Sequence, residues 1–178
     1  DTATLASLPE REFRAGLGEI AKYHFLGGGQ LDAQELPERV ANCVRIKADV
    51  VAEDEREGGR RAILNYGHTL AHALEIEGAF DLRHGEAVAI GVVYAAEVAR
   101  RLGRIDDAAV NEHRRVIAEY GLVDRLPEGT NRDQVLALFS RDKKALDDVT
   151  MVLDGPAGVE TVVGPDRGVL REALDAMV

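Results

Sequence analysis

Residues 84–103 read HGEAVAIGVVYAAEVARRLG, a run that is apolar almost all round until its charged tail. A surface helix keeps one polar face, so a helix with none is predicted to lie at the centre, surrounded by others. The flanking segments supply those others. Upstream, S-L-P-E at residues 7–10 predicts a helix over residues 8–25, with Ser7 as N-cap, Pro9 in the first turn and Glu10 completing a capping box. The three glycines at 27–29 should end it. A second helix is predicted from Leu36 and Pro37, where Val40, Cys43, Val44, Ile46, Val50 and Val51 recur at helical spacing up to the polar EDEREGG of residues 53–59. Helical pattern resumes near Arg60 and runs to Glu77, ahead of Gly78. Downstream, residues 106–121 and 131–146 are amphipathic, and a last helix is expected over 169–177. Between them VTMVLDG (149–155) and VETVVG (159–164) alternate as a short hairpin across GPAG. The predicted fold is mainly α and multi-helical with a small β-hairpin, one domain over residues 1–178. Nothing reads as a βαβ unit, so no dinucleotide-binding sheet is expected within it.

The 178 residues are 46% hydrophobic, enough for one sizeable core, and carry a formal net charge of −10. That charge argues against general affinity for nucleic acid or an anionic membrane surface. No apolar run approaches the roughly 20 residues of a membrane span, and the N-terminus has no signal-peptide pattern. A single cysteine, Cys43, excludes an intramolecular disulfide and suits the cytoplasm; it sits in a helical apolar pattern as buried filler.

Against this background two constellations stand out. His68 and His72 lie four residues apart in LNYGHTLAHALE (64–75), the spacing that stacks side chains on one helix face, and His84 follows in L-R-H-G-E, where Gly85 leaves room for close backbone approach. Imidazole is a frequent zinc ligand, and a catalytic zinc usually has three protein ligands with one open position. A carboxylate is a natural third ligand, and spacing alone leaves Glu19, Glu75, Glu77 and Glu86 all open. An i, i+4 histidine pair also arises by chance on helix surfaces. The second constellation is cationic: Lys22, Lys47, Arg61, Lys143 and Lys144, from four segments. Lys22 follows Glu19 by three residues on the same face, and Lys47 interrupts an apolar stripe. Each alone reads as a solvated charge; together they suit an anionic ligand, with arginine offering bidentate geometry. Asn65, three residues before His68, would share the histidine face. His24 and His113 have no such company and read as surface residues.

Four motifs in order, LPEREFRAGLGEIAK (8–22), R-x-x-LNYGHTLAHALE (61–75), RHGEAVAIG (83–91) and DKK (142–144), resemble the C-terminal domain of 3-dehydroquinate synthase, in the sugar-phosphate cyclase group. The likeness covers essentially the whole chain. It implies a helical metal-binding domain that follows an N-terminal NAD-binding α/β domain, which is missing from this sequence, so the chain alone should not turn over. The resemblance further implies zinc, or cobalt, on Glu19, His68 and His84, rather than on the His68–His72 pair that spacing suggests. His72 would face substrate and relay protons. Lys22, Lys47, Arg61, Asn65 and one lysine of DKK, with Lys144 preferred over Lys143, match substrate-contacting positions. Thr4, Leu5, Ala6 and Ser7 match the segment that touches NAD+ across the domain cleft. The implied reaction begins with oxidation of a secondary hydroxyl of 3-deoxy-D-arabino-heptulosonate 7-phosphate by NAD+, which acidifies the neighbouring C–H. Phosphate then leaves by β-elimination, NADH returns the hydride, and intramolecular aldol addition closes the ring to 3-dehydroquinate, a step of the shikimate route to aromatic amino acids. Family members are commonly homodimers.

The sequence departs from the family at Ala71, where glycine is usual between the two helix histidines, and after DKK, where the usual glycine and aromatic-containing strand are replaced by the shorter ALDDVTMVL. Close rivals are therefore cyclases of other substrates, of the amino-dehydroquinate or 2-deoxy-scyllo-inosose type. More distant readings are a metal-dependent polyol dehydrogenase and a non-catalytic helical interaction module. The module would hold no stoichiometric zinc. A polyol enzyme would not need the cations, so Lys47→Ala or Arg61→Ala should abolish phosphosugar binding in a cyclase and leave polyol oxidation largely intact, which calorimetric titration and a dehydrogenase assay distinguish.

Overall fold

The computed structural model describes residues 1–56, 59–77, 81–139 and 149–178. Seven α-helices are seen among them: α1 (Glu10–Tyr23), α2 (Leu36–Glu53), α3 (His68–Glu77), α4 (His84–Arg101), α5 (Asp107–Glu119), α6 (Arg132–Leu138) and α7 (Arg167–Asp175), with strands β1 (Thr150–Leu153) and β2 (Glu160–Val163). The mainly helical fold with one antiparallel hairpin is as predicted. The strands pair in the register Thr150 with Val163 to Leu153 with Glu160. None of the described helices is long and apolar enough to cross a membrane.

Helix α4 is the axis. Every residue from Ala87 to Ala99 is buried, and α1, α3, α5, α7 and β1 all pack against it. Its start is fixed by Glu86, whose carboxylate accepts the Arg83 N–H at 2.9 Å and pairs with Arg11 of α1 at 3.1 Å. The hairpin is less peripheral than its sequence suggests, because Met151, Val152 and Leu153 of β1 are buried in the same core as α4.

At two places the backbone approaches α4 more closely than side chains would allow. A methyl group on Gly85 of α4 would lie 1.7 Å from the Ala15 carbonyl oxygen, and one on Gly18 of α1 would lie 2.0 Å from the Gly85 carbonyl oxygen. Further along α4, a methyl on Gly91 would lie 1.9 Å from the Gly67 carbonyl oxygen. Gly67 itself has φ +81°, which L side chains rarely adopt. This explains the main departure from expectation. The stretch from Arg60 to Glu77 is not one helix: a 3-10 helix over Arg60–Asn65 ends in a turn at Tyr66 and Gly67, and α3 begins only at His68. Asn65 therefore does not share a helical face with His68.

Other boundaries also shift. Thr2–Ser7 forms its own 3-10 helix, with the Ser7 hydroxyl donating to the Thr4 carbonyl at 3.0 Å, so Ser7 is not the N-cap of α1. Pro9 takes that position. Cys43 is buried as predicted, whereas Val44 is 62% exposed and outside the buried stripe of α2. Helix α6 ends at Leu138, and residues 140–148, with Lys143 and Lys144, lie outside the described residues. Ala71 is fully buried in the core.

A buried charge network ties α4 to α5. Glu97, 5% exposed, accepts from Arg101 at 2.6 Å, Arg114 at 3.0 Å and Arg100 at 3.2 Å. Burial pushes its carboxyl up, but the hydrogen bonds from Arg101, Arg114 and Arg100 outweigh that and hold it below its ordinary 4.5. A carboxyl held low when folded contributes stability above its unfolded value, and that contribution is lost as pH falls through the folded value. Glu97→Gln should cost roughly 2–4 kcal/mol at pH 7, because three guanidinium groups lose their counter-charge, and should flatten the fall in stability below about pH 4.5, both read by denaturant titration. Gly85→Ala should force α1 from α4 and cost about 3 kcal/mol, a Tm drop of roughly 6–12 °C for a domain of this size. Gly16→Ala, where an added methyl meets nothing within 4 Å, should leave calorimetric Tm unchanged or slightly higher.

Candidate metal centre and anion cleft

The contact of Gly18 with Gly85 has a direct chemical result, because Glu19 and His84 adjoin these glycines on α1 and α4. Their side chains meet: His84 Nε2 lies 3.1 Å from Glu19 Oε1, and His68 Nε2, from the first turn of α3, lies 3.5 Å from the same oxygen. One ligand atom from each of the three residues lies within 4.8 Å of the other two. Two ligands each about 2.0–2.1 Å from a tetrahedral zinc stand roughly 3.3–3.4 Å apart, a spacing that the two observed separations bracket. Two imidazole nitrogens and a carboxylate oxygen also suit zinc or cobalt chemically.

The protonation of the rings fits a ligand role. His68 Nδ1 lies 3.1 Å from the Tyr66 carbonyl, which can only accept, so Nδ1 carries the proton and Nε2 keeps its lone pair. Burial, then the nearby Lys22 ammonium, holds the His68 imidazole below its ordinary 6.5. Burial pushes the Glu19 carboxyl up, but Lys22 and the two imidazoles bring it below its ordinary 4.5 and keep it ionised.

The four carboxylates left open by spacing now separate. Glu19 converges on His68 and His84. Glu75 lies behind His84, its Oε1 2.9 Å from Nδ1. Glu77 accepts the Asn131 N–H at 3.0 Å, and Glu86 serves the start of α4 and Arg11. His72 is exposed, its ring centre 5.5 Å from that of His68 and 6.4 Å from that of His84.

Glu19 and His68 also form one wall of a cleft of about 260 Å³ whose other walls include Lys22, Lys47, Arg61 and Asn65. Cations from three segments thus converge, as does Asn65, from the end of the 3-10 helix rather than from α3. Lys22 is 3% exposed; its Nζ donates to Glu19 Oε2 and to the Leu64 carbonyl, both at 2.7 Å. Arg61 is set by the acidic loop before it: Asp54 Oδ2 accepts the N–H of Gly59 at 2.8 Å and of Arg61 at 3.0 Å, and the Arg61 guanidinium donates to the Glu55 carbonyl. Thr4, Leu5, Ala6 and Ser7 do not line this cleft; they form the exposed 3-10 helix ahead of α1, with the Thr4 hydroxyl donating to the Asp1 carbonyl.

Sequence reasoning missed the support beneath the site. His113, read as a surface residue, is 2% exposed. Its Nδ1–H donates to the Ala109 carbonyl at 2.7 Å, so its Nε2 accepts from the Tyr66 hydroxyl at 2.8 Å, and its ring stacks on Phe25 at 3.8 Å. Burial holds this imidazole below its ordinary value, in keeping with a neutral ring. Tyr66 in turn presents the carbonyl that orients His68. His24 is also mostly enclosed, between Asp32 at 3.8 Å and Glu112 at 3.7 Å. For His113 the available signal was its place on the apolar stripe of α5, three residues after Val110 and three and four before Val116 and Ile117.

Residues 16–145 match the 3-dehydroquinate synthase C-terminal family. A proposed aminodehydroquinate synthase of Amycolatopsis mediterranei is 48% identical over 99% of this chain and 50% of its own length. The 3-dehydroquinate synthase of Mycobacterium leprae is 40% identical over 97% of this chain and 52% of its own. The crystal structure of 2-deoxy-scyllo-inosose synthase complexed with carbaglucose-6-phosphate, NAD+ and Co2+ superposes on the whole chain and 55% of its own length with a TM-score of 0.85 at 24% identity, which marks a shared fold. The chain spans about half the length of the curated relatives it matches. With motifs, helical architecture and family match in agreement over most of its length, this chain belongs to the 3-dehydroquinate synthase C-terminal family.

Proposed function

We propose that this chain is the metal- and substrate-binding half of a sugar-phosphate cyclase, a carbon–oxygen lyase that converts 3-deoxy-D-arabino-heptulosonate 7-phosphate to 3-dehydroquinate and phosphate. The observation that carries this reading is the convergence of Glu19, His68 and His84 on one point at the wall of a cleft lined by Lys22, Lys47 and Arg61. Such a combination suits a substrate with hydroxyls at one end and anionic groups at the other. It is not called for by a polyol dehydrogenase or an interaction module.

In this reading Glu19, His68 and His84 hold zinc or cobalt, and an N-terminal domain, absent from this sequence, supplies NAD+. The metal would act as a Lewis acid on the hydroxyl being oxidised, and the nucleotide would take and return the hydride. The chain's own contribution is position and charge. Lys47 and Arg61 face the cleft with heads able to grip carboxylate and phosphate, and Asn65 offers a hydrogen bond to a hydroxyl. Holding both anionic ends in one orientation lowers the entropic demand of elimination and ring closure in a single site. Lys22 neutralises Glu19 and places a positive charge at the cleft floor. His72, exposed beside the other two rings, can take and release a proton at the substrate. Lys144 belongs to the same proposal, beyond the described residues, and Thr4 to Ser7 are assigned to contact NAD+ from the missing half. The assembled enzyme is read as a cytoplasmic homodimer.

A second reading has a specific support: the 48% identity to the proposed aminodehydroquinate synthase exceeds the 40% to the Mycobacterium leprae dehydroquinate synthase. In that case the substrate is an amino analogue of the heptulosonate phosphate, with an amino group in place of one hydroxyl. The test joins this chain to its NAD-binding half and follows phosphate release from both heptulosonate phosphates. Release from the hydroxy substrate, abolished by chelator and restored by Zn2+ or Co2+, is expected. Preference for the amino substrate would establish the second reading, and release from neither would refute both.

A further inference from the structure

The pairing of Glu75 with His84 is not accounted for by metal ligation or by substrate binding. Glu75 lies on the His68–His72 face of α3, seven residues after His68, two full helical turns on. Its Oε1 is 2.9 Å from His84 Nδ1, while His84 Nε2, at the other edge of the ring, faces Glu19. A carboxylate at this distance accepts the Nδ1 proton. Among the described residues this is the polar contact that Glu75 makes, and it crosses from α3 to α4. His84 needs such a partner more than His68 does. It is the first residue of α4, with a side chain 47% exposed. His68, 13% exposed, is already held by the Tyr66 carbonyl.

We propose that Glu75 is a positioning residue that fixes the tautomer and ring orientation of His84 so that Nε2 is presented, deprotonated, to the metal. The proposal rests on the reading of Glu19, His68 and His84 as the metal ligands. Its physical basis is that an imidazole with a solvent-facing edge populates both neutral tautomers and several ring rotations, and only one combination aims a lone pair at the ion. Accepting the Nδ1 proton selects that combination and raises the donor strength of Nε2. The role requires a hydrogen-bond acceptor at position 75, not a negative charge as such, which separates it from ligation by Glu75 itself.

The test measures Zn2+ affinity by chelator competition, and the visible spectrum of bound Co2+, in the chain joined to its NAD-binding half. Glu75→Ala should weaken Zn2+ binding about 10–100-fold, the usual effect of removing such an outer partner, and broaden or shift the Co2+ bands. Glu75→Gln, which keeps an acceptor oxygen, should bind within a few-fold of the parent with the parent's spectrum. The melting temperature of each metal-stripped variant should match the parent, since the contact is solvent-exposed. Parent-like affinity in Glu75→Ala overturns the proposal, as does equal loss in Glu75→Ala and Glu75→Gln. His84→Ala serves as the reference: if it too binds Zn2+ like the parent, or the parent binds none, the ligand reading itself has failed, and the proposal with it.

Discussion

Backbone against backbone at Gly18 and Gly85 is the constraint from which the rest of the site follows. With a Cβ at either position, the carbonyl of the other helix would be overlapped, and α1 would have to stand off from the central helix. Glu19 and His84 are the sequence neighbours of these two glycines, so their meeting is a direct product of that approach. A second contact of the same kind, Gly91 against Gly67, seats the turn that launches α3 and hence His68. The three side chains come from residues widely separated in sequence, yet their relative placement rests on main-chain atoms in van der Waals contact, the stiffest kind of support a helical protein has.

The charge distribution follows a similar economy. The chain as a whole carries a net charge of −10, yet the cleft beside Glu19 gathers Lys22, Lys47 and Arg61. Elsewhere arginines are spent on acidic partners: Arg100, Arg101 and Arg114 on Glu97, and Arg115 on Glu112 and Asp32. A cationic cleft on a chain of acidic excess favours selective capture of a small anion over indiscriminate binding to polyanions.

Much of this was legible in the sequence. The all-round apolarity of 84–103 fixed the position of α4, turn chemistry located the hairpin, and Gly85 was recognisable as a site of close approach. What escaped were features set by tertiary contact. The break at Tyr66 and Gly67 cannot be read from periodicity, because residues 60–77 keep a helical apolar pattern through it; the break exists because α4 presses on Gly67. Ser7 looked like an N-cap on local grounds, but the preceding residues form a helix of their own and use its hydroxyl. His113 looked like a lone polar residue because its partners, Phe25 and Tyr66, lie far away in sequence. Among four glutamates, Glu19 was singled out only by the family resemblance, since spacing along a helix carries no information about which neighbouring helix a side chain will meet.

The two imidazoles nearest Glu19 are steered by unlike acceptors, and that difference bears on how the protein can change over generations. The carbonyl that receives the His68 proton belongs to the main chain at Tyr66, so no single amino-acid replacement deletes it. The acceptor facing His84 is a side chain, Glu75, and one codon change removes or alters it. One ring is thus hard-wired while the other is adjustable, which gives descent with modification an accessible dial for retuning this pocket while its framework stays intact.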